Sequence, residues 1–330
     1  MKKIKYRKKK SSHGYRLPET ELIGLDPILD LLILALWTAY ILGEKTVSLL
    51  LLAPPESGKT ELMKKLRKNN GVHVLRRFTA CGFIKDLLSG KMPLLFKSAK
   101  ILGHILTYEF VNAFTYKASS VNSTIELINA YTEDGLSNES SYWIEGDALD
   151  DFENLKGGVI AGINPFGFFT SQKTRNVKAN LYKGGLISRF LVASYTISEA
   201  MKSKIFDSIT HGEYRTDRNF RDLIIENFPK KRVHVILPKR YAQEIRELAS
   251  EIAEEYSQDL KTHALKGFRL TKSLISFVKT SALRDGRRVV NERDVERIKY
   301  LSNWMNLKMN KLKMSYPFTQ TRARNELHRR

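Results

Sequence analysis

The sequence is short of acid, nearly without cysteine and without a long uncharged stretch, and each shortage closes off a class of protein. Only 35 of its 330 residues are Asp or Glu, against 56 Lys or Arg, a formal net charge of +21. That imbalance says little about fold, but it turns the surface toward polyanions, of which nucleic acid is the commonest. A solvated, self-repelling surface is the plainer reading. The single cysteine, Cys81, excludes an intrachain disulfide and fits a reducing cytoplasm. No His or Cys cluster has metal-ligand spacing, so no zinc site is expected. The uncharged run Leu31 to Leu42 covers 12 residues. A membrane span needs about 20, so a buried core helix is expected there and no membrane association. The basic N-terminal stretch lacks the compact apolar run and small-residue cleavage pattern of a signal peptide.

The positive charge is concentrated at the ends. Residues 1–16 carry eight Lys or Arg and no acid, and the chain closes on TRARNELHRR. Such arms can bind nucleic acid by counterion release, which is sequence-independent and salt-sensitive, or serve as solubilising tails. Between them there is no internal repeat and no long low-complexity segment.

The body changes character along its length. Residues 26–43 read as a helix apolar nearly all round. Val47 to Leu52 (VSLLLL) reads as a central parallel strand, and Lys59 to Lys68 as a helix. Further apolar runs at Ile101 to Leu106, Gly158 to Ile163 and the second half of Gly185 to Ser194 suit the same sheet. The pattern predicts an α/β fold, a parallel sheet flanked by helices. Val233 to Leu237 reads as a last short strand or a linker. Beyond it, Ile245, Leu248, Ile252 and Tyr256 mark one helix, and Leu270, Leu274, Phe277 and Val278 a second. Val295, Ile298, Leu301 and Met305 mark a third, with Asn291 as its N-cap and Asp294 behind it. The expected organisation is a basic tail at 1–20, an α/β core at 21–205, a small all-helical domain at 206–310 and a second basic tail at 311–330.

The strongest motif lies between the first strand and the next helix. Ala53-Pro54-Pro55-Glu56-Ser57-Gly58-Lys59-Thr60 meets the phosphate-loop pattern G-x-x-x-x-G-K-[ST] from its sixth position on. Main-chain N–H groups of such a loop wrap phosphates, and the following helix presents its N-terminus to them. Lys59 would reach the β and γ phosphates, and the Thr60 hydroxyl would ligand Mg²⁺. Ala53 stands where glycine is usual, which is tolerable only if its backbone is not left-handed. A Gly-Lys-Thr triplet is common by chance, but strand, loop and helix in immediate succession are not. ATP with Mg²⁺ is the expected ligand.

Hydrolysis needs an acid at the end of a second strand. Ile101 to Leu106 is followed by Thr107-Tyr108-Glu109-Phe110, where Glu109 is the acid. Glu145, Asp147, Asp150 and Asp151 are the other candidates, after a poorer strand at Tyr142 to Ile144.

With these pieces in place, the chain resembles the AAA+ ATPases, in particular the minichromosome maintenance helicase branch and, more loosely, related ATPases of archaeal and bacterial mobile elements. Asn164-Pro165 resembles the sensor Asn-Pro pair of that branch. Ile187-Ser188-Arg189-Phe190 resembles its Ser-Arg-Phe tripeptide, and Tyr108-Glu109-Phe110 stands where it has Asp-Glu-Phe. Val290-Asn291-Glu292-Arg293-Asp294-Val295 resembles the start of the last lid helix. Alone, Asn164 reads as a strand-end turn residue and Arg189 as a surface cation; the order of the motifs, over about residues 22–310, carries the likeness.

The resemblance implies an AAA+ core with a helical lid, and a helicase-like or initiator ATPase associated with DNA replication. It also implies a homo-oligomeric ring or spiral. Glu109 would stand near Mg²⁺ and the attacking water, and Asn164 would orient that water or the γ-phosphate. Arg189 would act on a neighbouring subunit's ATP as an arginine finger. Arg269 or Lys272 would be the second, lid-borne sensor. Lys173, Arg175, Lys178 and Lys183 would line a pore or form a solvated loop. Two departures stand out. Tyr108 replaces the Mg²⁺-ordering aspartate, and only about 20 residues precede the core, where the helicases carry an oligomerising domain. A remodeller of a protein partner, or a nucleotide switch with little turnover, are the competing readings.

Overall fold

The computed structural model describes residues 22, 24–76, 78–114, 118–136, 152–165, 185–211, 222–260 and 267–308. The two tails, the acids Glu145, Asp147, Asp150 and Asp151, the strand expected at Tyr142 to Ile144, and Lys173, Arg175, Lys178 and Lys183 lie outside the described residues.

The apolar runs become one parallel sheet. Its strands are β1 (Ser48–Leu52), β2 (Val72–Val74), β3 (Ile101–Thr107), β4 (Lys156–Ile163) and β5 (Phe190–Ser194). They pair in the order β2-β3-β4-β1-β5. Leu49 to Leu52 face Ile160 to Ile163 on one side, and Ser48 to Leu52 face Phe190 to Ser194 on the other. Every residue of β1 is buried, which is why its leucines run on without alternation: both faces of the sheet are covered. Because all strands point one way, the C-terminal ends of β1, β3 and β4 open on one sheet edge. Their N-terminal ends open on the other.

β2 was not foreseen. It has three residues, none of them buried. Its pairing depends on a close approach, since a Cβ on Gly103 would lie 2.1 Å from the Gly71 carbonyl oxygen, and Gly103 itself has φ 105°.

Around the sheet lie α1 (Asp26–Thr38), α2 (Lys59–Lys65), α3 (Ala80–Leu88), α4 (Ala118–Thr132), α5 (Glu199–Thr210), α6 (Lys239–Leu260), α7 (Phe268–Arg284) and α8 (Glu292–Leu301). α1 is buried from Pro27 through Thr38, as its all-round apolarity requires. It stops short of residue 43 because competing hydrogen bonds take the chain out of the helix. The Thr38 hydroxyl accepts from the Val47 N–H at 2.9 Å. Val233 N–H donates to Tyr40 at 2.7 Å, and Leu42 N–H donates to Val233 at 2.9 Å. The segment at 233–237 is thus neither strand nor plain linker: Val233 bridges Ile41, and Ile236 bridges Val289.

α6, α7 and α8 pack on one another, and α7 also packs on α1. Asp30 of α1, fully buried, accepts from Arg284 of α7 at 2.6 Å and from Arg297 of α8 at 2.7 Å. A buried carboxylate between two guanidiniums therefore ties the C-terminal helices to the core. α6 reaches the sheet as well. The Tyr256 hydroxyl donates to the Val192 carbonyl at 2.8 Å and accepts from the Val192 N–H at 3.1 Å. α8 begins as expected, with Asn291 N–H donating to the Asp294 carboxylate at 2.9 Å. Among the described residues, no helix is long and apolar enough to cross a membrane.

Candidate functional site

The loop at 53–60 leaves the C-terminal end of β1 still tied to β4, with Ala53 N–H donating to the Ile163 carbonyl at 3.3 Å. Ala53 is buried and is not left-handed; the left-handed residues of the loop are Glu56 (φ 59°) and Gly58 (φ 77°). That resolves how alanine takes the place of the first glycine. Left-handed residues set among right-handed ones turn successive N–H groups toward one concave side. A Cβ at Gly58 would lie 2.9 Å from Leu25 Cδ1, so that side chain would have to shift as well. Gly58 precedes α2 without a side-chain cap, so the first N–H groups of the helix have no side-chain acceptor. Behind the loop, the Tyr195 hydroxyl donates to the Ser57 carbonyl at 3.2 Å. The Ser57 hydroxyl is buried and has no hydrogen-bond partner among the described residues.

Lys59 opens α2. Its ammonium donates to the Ala53 carbonyl at a long 3.4 Å. Burial pushes the ammonium down to about 8, opposed by the negative charge of Glu109. Thr60, the next residue, is half-buried. Glu109 is exposed just beyond β3 and accepts from Asn112 Nδ2 at 3.0 Å. Asn164 follows the last residue of β4. Since β4 lies between β1 and β3, Asn164 stands between the loop and Glu109 on the same sheet edge. The packing there is tight: a Cβ on Gly162 would lie 2.6 Å from the Tyr108 carbonyl oxygen and 3.1 Å from Met63 Sδ.

Tyr108 and Glu109 face different charges. Burial raises the Tyr108 phenol, and Arg67, Arg76 and Asp222 are the charges that act on it. Glu109 is the group that acts on Lys59.

The other sequence-selected cations lie elsewhere. Arg189 ends the short turn Ile187–Arg189 directly before β5, at the N-terminal edge of the sheet. Five residues of strand at about 3.3 Å each put that edge roughly 16 Å from the loop at 53–60. Arg269, at the start of α7, and Lys272 line a cavity with Arg189 there, together with Lys45 and Glu133. Arg269 grips Glu133 with both ends of its fork, at 2.6 and 3.0 Å, and donates to Ser188 Oγ at 2.9 Å. Arg189 donates to the Gly185 carbonyl at 2.8 Å and pairs with Glu133 at 3.4 Å. Lys45 approaches the same carboxylate at 3.8 Å. Burial works against the Glu133 carboxylate, but the Arg269 hydrogen bonds and the charges of Arg189 and Lys45 outweigh it, so its pKa falls below the usual range.

Two groups of side chains result. Lys59, Thr60, Glu109 and Asn164 share the edge with the loop at 53–60. Arg189, Arg269 and Lys272 share the opposite edge, around Glu133. Sequence reading missed Glu133 and Lys45, which belong to no motif. Among the described residues no group of three or more His, Cys, Asp or Glu could hold a metal ion unaided. Thr60 and Glu109 could supply two oxygens to Mg²⁺, an ion that usually keeps several waters and takes phosphate oxygens. No protein-family model matches the chain, and a search of the curated proteins finds no similar sequence.

Proposed function

We propose that the chain is an ATP-binding and ATP-hydrolysing protein of the AAA+ class that assembles with copies of itself and acts on nucleic acid, DNA being favoured. One relationship carries this reading. The loop bearing Lys59 shares a sheet edge with Glu109 and Asn164, while Arg189, Arg269 and Lys272 stand on the opposite edge. Cations so placed are too far from their own loop to touch a phosphate there, but suited to one held by a neighbour. A ring or spiral of copies brings the two edges together.

In this reading the loop amides and Lys59 hold the β and γ phosphates. The unpartnered Ser57 hydroxyl and the uncapped start of α2 fit such a ligand. Thr60 and Glu109 would hold Mg²⁺, which when bound supplies neutralising charge to the phosphates. Glu109 and Asn164 orient the attacking water, and the Arg189 guanidinium stabilises charge on the neighbour's phosphoryl group. The helical C-terminal domain acts as the lid, and its Arg269 or Lys272 joins Arg189 in facing the neighbour. The net charge of +21 supports a polyanionic partner.

Tyr108 favours one variation on this theme. Burial keeps its phenol neutral, and a neutral phenol is a poor Mg²⁺ ligand, so turnover is slow and the chain behaves partly as a nucleotide switch.

The test is ATP turnover of the full chain with and without single- and double-stranded DNA, beside Lys59→Ala. Turnover stimulated by DNA and lost in Lys59→Ala is expected. No heat of ATP–Mg²⁺ binding rejects the whole reading; binding without stimulation by any DNA or RNA rejects its nucleic-acid part.

A further inference from the structure

The cavity at the N-terminal edge carries more positive charge than its own carboxylate can balance. Lys45, Arg189, Arg269 and Lys272 face a single acid, Glu133, so four cations less one anion leave a surplus of three. Its volume of about 200 Å³ exceeds several times the roughly 30 Å³ share of a water molecule. There is room for a phosphoryl group beside the carboxylate.

The guanidiniums, however, are already engaged. Each of the three nitrogens of the Arg269 guanidinium makes a hydrogen bond, two to Glu133 and one to Ser188. Arg189 spends one terminal nitrogen on Gly185 and the other on Glu133. Its Nε is buried with no partner among the described residues. Its side chain is only 15% exposed, and that of Glu133 only 13%. An arginine held this way cannot extend to a neighbour without letting go of the carboxylate.

We infer that Glu133 is the resident anion of this cavity and is exchanged for the terminal phosphate of a nucleotide bound to a second copy of the chain. This rests on the proposed reading of Arg189 as a group acting on its neighbour. The exchange replaces the two-pronged grip of Arg269 on Glu133, and the 3.4 Å ion pair of Arg189 with it, by charge-assisted contacts to phosphate, so it follows the arriving phosphate instead of preceding it. Lys45, already 3.8 Å away, remains to accompany the displaced carboxylate. Glu133 thus holds the finger back in a lone subunit and makes assembly conditional on bound nucleotide.

The experiment is sedimentation velocity of the full chain with a slowly hydrolysed ATP analogue and Mg²⁺. Wild type is compared with Glu133→Gln, Glu133→Asp, Arg189→Ala and the double variant Glu133→Gln/Arg189→Ala. Thermal unfolding confirms that each is folded. Glu133→Gln is expected to associate at about tenfold lower protein concentration than wild type, the scale of one charge-assisted hydrogen bond. Glu133→Asp, which keeps the charge, stays close to wild type, and the double variant loses the gain. Glu133→Gln associating like wild type, or more weakly while folded, overturns the exchange and leaves the reading of Arg189 standing. Arg189→Ala associating and turning over like wild type rejects that reading, and the exchange falls with it.

Discussion

The phenol of Tyr195 donates to the carbonyl oxygen of Ser57 across 3.2 Å, so the residue after β5 holds the middle of the loop at 53–60 from behind. Both residues are buried. Tyr195→Phe leaves that carbonyl without its partner in a place water does not easily reach. The expected cost is about 1–2 kcal/mol of stability, read by urea unfolding, with weaker ATP binding because the loop loses its support.

On the proposed reading, Lys59 ties nucleotide binding to pH. In the folded chain it ionises at about 8, against 10.5 for an ordinary lysine. Phosphate binding needs the charged form, so ATP affinity falls as pH rises through about 8. Stability moves the other way. Below that pH both folded and unfolded chains carry the proton and the burial penalty is full. Between about 8 and 10.5 only the unfolded chain carries it, and stability rises with pH. Calorimetry at pH 8 in buffers of different ionisation enthalpy should show uptake of about half a proton per ATP, and none in Lys59→Arg.

Asp30 holds the C-terminal helices to α1 through Arg284 and Arg297. Asp30→Asn removes the buried carboxylate charge that both the buried Arg284 and the half-buried Arg297 reach. Such a loss costs about 3–5 kcal/mol, measurable by chemical denaturation. An unchanged midpoint would show that the apolar contacts among these helices suffice without the ion pair.

What the sequence disclosed and what it withheld follow from range. β1 was legible because a strand covered on both faces has no polar alternation to obscure it. The strand–loop–helix succession around 53–60 was legible because Gly58, Lys59 and Thr60 sit next to that strand. β2 was hidden because Val72, His73 and Val74 owe their pairing to two glycines, Gly71 and Gly103, 32 positions apart. A motif resemblance singled out Arg189, and the place of a lid-borne sensor Arg269 or Lys272, but nothing local showed that they converge. Glu133 was invisible for the same reason: its partners come from residues 45, 189 and 269.

Glu109 and Tyr108 are neighbours with separate expected effects. Glu109→Gln should lower turnover about 10²-fold or more, the usual loss of a positioned acid or base, and leave ATP binding intact. Tyr108→Phe should stay within about twofold, because the charges acting on its phenol are Arg67, Arg76 and Asp222. A steady-state phosphate-release assay separates the two, and a collapse in Tyr108→Phe would move the acid's role to the phenol.

Mixing tests the two-edged arrangement directly. Lys59→Ala has a disabled loop but an intact Arg189; Arg189→Ala has the reverse. Each alone should be inactive, and an equal mixture should recover a measurable part of wild-type turnover, since some interfaces pair a sound loop with a sound arginine. A mixture as inactive as its components would place both groups in the work of a single subunit.

Tyr256 has one further effect. By occupying both the N–H and the carbonyl of Val192 at the middle of β5, it takes the centre of that edge strand from an incoming backbone. A backbone adding to the sheet from this rim would have to displace that hydroxyl first. In the proposed assembly, contact along this rim therefore falls to side chains, whose charge and shape can be altered one position at a time.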